Sequence, residues 1–126
     1  MRIAIPFVLL ILATGCRTKL DSESVVQVDP LNAQLRMIDP IASAQKVNVS
    51  AKANSGQFNI YIFLEKDKTA VEKEIERNKV PASLLGHKLK TTEADLQAQI
   101  PAKETAVVML TSGDGKAASV RLKIGN

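Results

Sequence analysis

The chain has 126 residues, 45% of them hydrophobic, and a formal charge of +4 from 17 Lys and Arg against 13 Asp and Glu. That length suits one domain with a short appendage. The charges are interspersed, Trp is absent, and the aromatics beyond residue 16 are only Phe58, Tyr61 and Phe63. A nucleic-acid binder would gather its cations on one face and add stacking rings, so no nucleic-acid partner is expected.

In chain order, Met1-Arg2 opens the sequence with a single basic residue, and Ile3 to Ala13 is an apolar run of eleven. As a helix that run spans about 16 Å, well short of a bilayer core of about 30 Å. A basic start, a short apolar stretch and then small residues form the pattern of a secretory signal peptide. Leu12-Ala13-Thr14-Gly15-Cys16 resembles the lipobox of bacterial lipoproteins, with Ala13 where Leu is commoner. The resemblance implies cleavage between Gly15 and Cys16 and acylation of Cys16, which makes the lipid bilayer a partner. Two or three acyl chains give stable anchoring where one does not. The implied location is membrane-anchored outside the cytoplasm. With Arg17, not Asp, after the Cys, it is the outer membrane facing the periplasm if the host is diderm.

Cys16 is the only cysteine. Once it is acylated, no disulfide and no thiolate metal site remain, and stability must come from packing. Arg17 to Ser24 is polar and without apolar period, so residues 16–24 are expected to be a flexible tether and residues 25–126 the folded domain.

Val25 to Val28 suits a short strand. Asp29-Pro30 and Asp39-Pro40 mark two turns, because the residue before Pro is pushed out of the α region. Leu35 to Ile38 between them suits an edge strand. Lys46 to Asn54 alternates, with Val47, Val49, Ala51 and Ala53 on one side, the period of a half-buried strand. Asn54-Ser55-Gly56 then predicts a hairpin turn.

Phe58 to Leu64 is the most apolar stretch after the signal segment, with Phe58, Ile60, Ile62 and Leu64 on one face and Tyr61 and Phe63 on the other. Apolar residues on both faces predict a central strand covered in part on its second side. Tyr61 and Phe63 are alternatively an exposed binding platform for a small molecule or glycan, with Asn59 as polar neighbour. Thr69 and Glu72 fit a capping box, Val71 and Ile75 share a face, and Pro81 lies beyond, which predicts a short helix over 70–79. Glu72 and Glu76 are too few ligands for a divalent site.

Ser83 to Lys90 reads as a strand with Gly86 at a bulge or a close approach. His87, the only histidine, has neither a nucleophile motif nor a second imidazole to work with. Thr92 to Ile100 carries a capping signal but alternates like a strand, and strand is preferred. Thr105 to Thr111 is a strand apolar on both faces. Ser112 to Gly115 turns the chain, and Ala118 to Ile124 alternates cleanly, which predicts a terminal hairpin. Gly113-Asp114-Gly115-Lys116 lacks the spacing, the following Ser or Thr and the helix of a phosphate loop.

Six or seven short strands and one helix predict a mainly β fold, an antiparallel β-sandwich. Over residues 45–125 the layout resembles immunoglobulin and fibronectin type III modules and the small β-sandwich lipoproteins of bacterial envelopes. The resemblance rests on pattern. No catalytic residue, metal site or cofactor is expected. The expected role is non-enzymatic, presenting the sandwich to an envelope protein partner. Small-molecule or glycan binding is the alternative.

Overall fold

The computed structural model describes residues 21–126. The expected signal segment 1–15, the Gly15-Cys16 junction and residues 16–20 of the spacer lie outside the described residues.

Eight strands form two four-stranded antiparallel sheets. They are β1 (Asp21–Val28), β2 (Gln34–Ile38), β3 (Gln45–Ser55), β4 (Phe58–Leu64), β5 (Leu84–Thr91), β6 (Glu93–Ile100), β7 (Ala106–Ser112) and β8 (Ala118–Gly125). The order is β1-β8-β3-β6 in sheet one and β2-β7-β4-β5 in sheet two. The fold is thus the expected mainly β sandwich of two antiparallel sheets, with eight strands where six or seven were expected. The connections follow their own scheme. Every step along the chain passes from one sheet to the other, except β4 to β5.

That scheme corrects both hairpin expectations. The turns at 54–57 and 113–117 do reverse the chain, but β3 pairs with β6 and β8, while β4 pairs with β5 and β7. Turn chemistry dictates a reversal and leaves the sheet of the next strand to packing. Here two crossovers interlock at one end of the sandwich. The Gly113 amide donates to the Gln57 carbonyl at 3.0 Å. Gly56 sits at φ +77°, where an added Cβ would lie 2.7 Å from the Ala117 carbonyl oxygen. Only glycine fits both the left-handed backbone and that approach.

The core lies between the sheets. Val47 and Val49 from β3, Phe58, Ile60 and Ile62 from β4, and Val120 and Leu122 from β8 are almost wholly buried. The alternation read in 46–54, 93–100 and 118–124 appears as alternating burial in β3, β6 and β8. The outer face of sheet one is polar, with Glu23, Lys52, Asp95, Arg121 and Lys123 clustered on it.

The tether ends sooner than its composition implied. Asp21 to Ser24 already belong to β1 and pair with Leu122 to Gly125. Backbone ladder bonds and the partner's apolar side chains hold this polar stretch in a strand whose own residues lack that tendency. Asp29 makes a turn as expected, its carboxylate accepting from the Leu31 amide at 2.9 Å.

Sheet two has a second cover. A 3-10 turn (Glu65–Asp67) leads into α1 (Lys68–Glu76), which lies over the outer face of β4 and β7. Val71 and Ile75 face the sheet there, with Val71 buried. The helix begins one residue before Thr69, and its N-cap is Asp67 without a side-chain cap bond. The 3-10 turn feeds the helix directly, so the predicted capping box does not form. The far end is a Schellman motif, in which the Asn78 and Lys79 amides donate to the carbonyls of Ile75 and Glu74 at 3.0 and 2.9 Å, with Asn78 at φ +58°.

Candidate functional site

The helix decides the fate of the two aromatics singled out as a platform. Phe63 is 0% exposed and Tyr61 6%, both packed with Val71, Val107 and Met109. The exposed aromatic platform is therefore absent, because α1 occupies the face on which it would have stood. The alternation placed both rings on the right face, and the narrow Val71/Ile75 stripe is what covers them. Burial raises the Tyr61 hydroxyl pKa above the ordinary tyrosine value of 10.0, and a side-chain hydrogen bond with Thr111 pulls the other way.

What remains open on that face is a depression on each side of the helix. One is about 540 Å3 and lies between the C-terminal turn of α1, β5 and the ends of β4 and β7. Asn59, Tyr61, Thr111 and Ser112 form its floor, Ile75 and Asn78 to Val80 one wall, and Leu89 and Lys90 the other. The second is about 350 Å3 and lies between α1 and the connection before β2, where Leu31, Ala33, Glu72, Glu76 and Met109 line it. Ile75 and Thr111 belong to both, so the depressions meet beneath the end of the helix.

Asn59 builds the first depression. The register of β4 against β5 slips between Phe58 and Ile60, leaving Leu89 and Lys90 in a bulge opposite Asn59. Lys90 takes φ +48° there, and its amide donates to Asn59 Oδ1 at 2.8 Å. Asn59 Nδ2 in turn donates to Thr111 Oγ1 and to the Ser112 carbonyl, both at 3.0 Å. One amide side chain thus clamps the bulge of β5 to the end of β7. The bulge turns Leu89 outward (40% exposed), facing Val80 (52% exposed) across the opening. A second bulge of β5 leaves Leu85 unpaired between the partners of Ile62 and Phe63, one residue before Gly86, which itself pairs with Ile62.

The two depressions differ in charge. Lys79 and Lys90 are the ionised groups lining the first, and Glu72 and Glu76 those lining the second. Glu72 is paired with Lys68 at 3.5 Å. His87 is exposed on edge strand β5, directly opposite Tyr61 in register. Among the described residues no group of three His, Cys, Asp or Glu is placed to hold a metal. The Ser112 to Lys116 segment is a tight turn held by Ser112 Oγ donating to the Lys116 carbonyl at 2.7 Å, and a strand follows it. A third, smaller depression of about 220 Å3 lies on the polar face of sheet one, where an ion pair joins Arg121 to Glu23 at 3.5 Å and Ser50 donates to Asp95 at 3.1 Å.

The bulge at Leu89-Lys90 and the clamp at Asn59 were missed in the sequence. The available signal was an amide in the middle of an otherwise apolar strand, a residue that a buried position tolerates only when its hydrogen bonds are met.

Compared with known protein families and with curated proteins, the chain matches none.

Proposed function

We propose that this protein is a non-enzymatic bacterial envelope lipoprotein, tethered through Cys16, that presents its β-sandwich to another protein. The lipobox-like Leu12 to Cys16 stretch supports the tether. The carrying observation is the disposition of the domain's two ends. Asp21 pairs with Gly125 at one end. The connections 29–33, 54–57 and 113–117 gather at the other, where Val28 pairs with Ala118 and Phe58 with Ser112. The eight residues of β1 set these ends about 26 Å apart. Leu31, 91% exposed at the remote end, stands beside the Glu72/Glu76 depression. An apolar side chain held out next to a groove, away from the anchor, is a contact surface for a partner protein.

A photo-crosslinking residue at position 31, in the full chain in native membranes, tests the reading. Discrete adducts are expected there, with none from position 46 on the polar face. A chain that stays a single uncrosslinked species from position 31 would overturn the protein contact. Intact mass with residues 1–15 retained and no acyl weight would overturn the tether. The second reading, small-molecule binding, is supported by the depression of about 540 Å3, a size typical of ligand sites. Glycan binding loses its support, since the rings that would stack on a sugar are buried.

A further inference from the structure

We infer that the depression between Lys79 and Lys90 binds a small free ligand that carries an anionic group on a short apolar body. The inference rests on the small-molecule reading and is independent of any protein contact; only the choice of a free ligand over a lipid headgroup draws on the anchor.

The argument starts from shape. The volume of about 540 Å3 lies within the usual range of ligand cavities, roughly 300–1,000 Å3. Its walls are two bulge or cap segments in left-handed backbone, Asn78 and Lys90. Both are fixed by backbone bonds, Asn78 and Lys79 to the helix end and Lys90 to Asn59. A site whose walls are already ordered loses little conformational freedom when it is filled.

Charge gives the ligand's sign. The lining holds two lysines and no carboxylate. At the helix C-terminus, which would repel an anion, the carbonyls of Lys73, Glu74 and Ile75 are engaged by the amides of Arg77, Asn78 and Lys79. Tyr61 keeps its proton, since burial raises its pKa, and adds no negative charge to the floor. Chemistry of the rest of the wall gives the ligand's body. Ile75, Val80 and Leu89 offer apolar surface, two of them well exposed without a ligand. The floor amide of Asn59 has both donor hydrogens engaged, so it adds little polar recognition. A purely ionic guest would leave that apolar wall in water, and a purely apolar guest would leave the lysines unanswered.

The cavity opens in the half of the domain remote from Asp21, near Ser112, which argues for a free ligand over a headgroup of the anchoring bilayer.

The test uses the full chain in phosphatidylcholine vesicles and a diazirine-bearing octanoate as probe. Photolabelling is expected on peptides that contain Val80 or Leu89, blocked by excess octanoate and not by equal inorganic phosphate. The variant carrying K79E and K90E should label about tenfold less, since each exposed charge contact supplies only a fraction of that factor. Circular dichroism confirms its fold, and Leu89→Ser provides a second variant that keeps both lysines and should also label less. Equal labelling by the matching diazirine octylamine, undiminished labelling of the charge-reversed variant, or adducts confined elsewhere would overturn the inference. Competition by phosphatidylglycerol in the vesicles, in place of free octanoate, would overturn the assignment to a free ligand.

Discussion

Replacing Asn59 by Ala should destabilise the domain by about 2–3 kcal/mol. The side chain makes three hydrogen bonds, to the Lys90 amide and to Thr111 Oγ1 and the Ser112 carbonyl. A typical intramolecular hydrogen bond contributes about 1 kcal/mol net, and more when its loss strands a buried partner. Lys90 lies on an exposed bulge where water can replace the lost acceptor, so that bond belongs at the low end. Thr111 and Ser112 are half-buried, and theirs belong at the high end. With a urea m-value of about 1.5 kcal/mol/M, the unfolding midpoint should fall by about 1.3–2 M at unchanged m. Hydrogen exchange at the Lys90 amide should quicken more than at residues of sheet one. A midpoint shift below about 0.3 M, with Lys90 still protected, would refute the claim that one amide holds β5 to β7.

Tyr61 is the only tyrosine and Trp is absent, so its ionisation can be followed alone by absorbance near 295 nm. Its midpoint in the folded protein should lie above 10.0, because burial disfavours the phenolate. The unfolded chain then releases this proton first as pH rises, so the contribution of Tyr61 to stability is intact below about 10 and declines above it; a midpoint at or below the ordinary value would contradict its burial. Gly56→Ala should lower stability by about 1–3 kcal/mol, seen as a melting temperature several degrees lower in calorimetry, and an unchanged melting point would mean the crossover relaxes freely. Phe63→Ala should cost about 3–5 kcal/mol by opening a cavity beneath α1, and a loss under 1 kcal/mol in urea titration would show that the helix collapses onto the gap.

The strands were legible because burial on a sheet imprints a period of two, which survives even in the small side chains of Ala51, Ala94 and Ala98. The cover over sheet two was legible as well, since Tyr61 and Phe63 opposite Phe58 and Ile60 leave no polar face to expose. The partners of each strand were not. Asn54 to Gly56 and Ser112 to Gly115 have the residues of tight reversals, and nothing local distinguishes a return within a sheet from a step across the core. The beginning of β1 was hidden for a related reason. Asp21, Ser22, Glu23 and Ser24 are held by the ladder of β8, a hundred residues away in the chain. In the candidate site, the lysines were visible as residues, but the bulge that brings Lys90 opposite Asn59 is a register slip, which periodicity cannot register.

The chain's passage between sheets at almost every turn has a consequence for folding during synthesis. Sheet one is bridged by β8, which lies between β1 and β3. Until residues 118–125 are available, β1 has no partner strand in its sheet, and β3 has only β6. Only β4 and β5 are neighbours both in sequence and in space. A growing chain therefore has little to settle into early. Sheet two can close once residues 106–112 arrive, but sheet one stays open until the last strand joins β1 to β3.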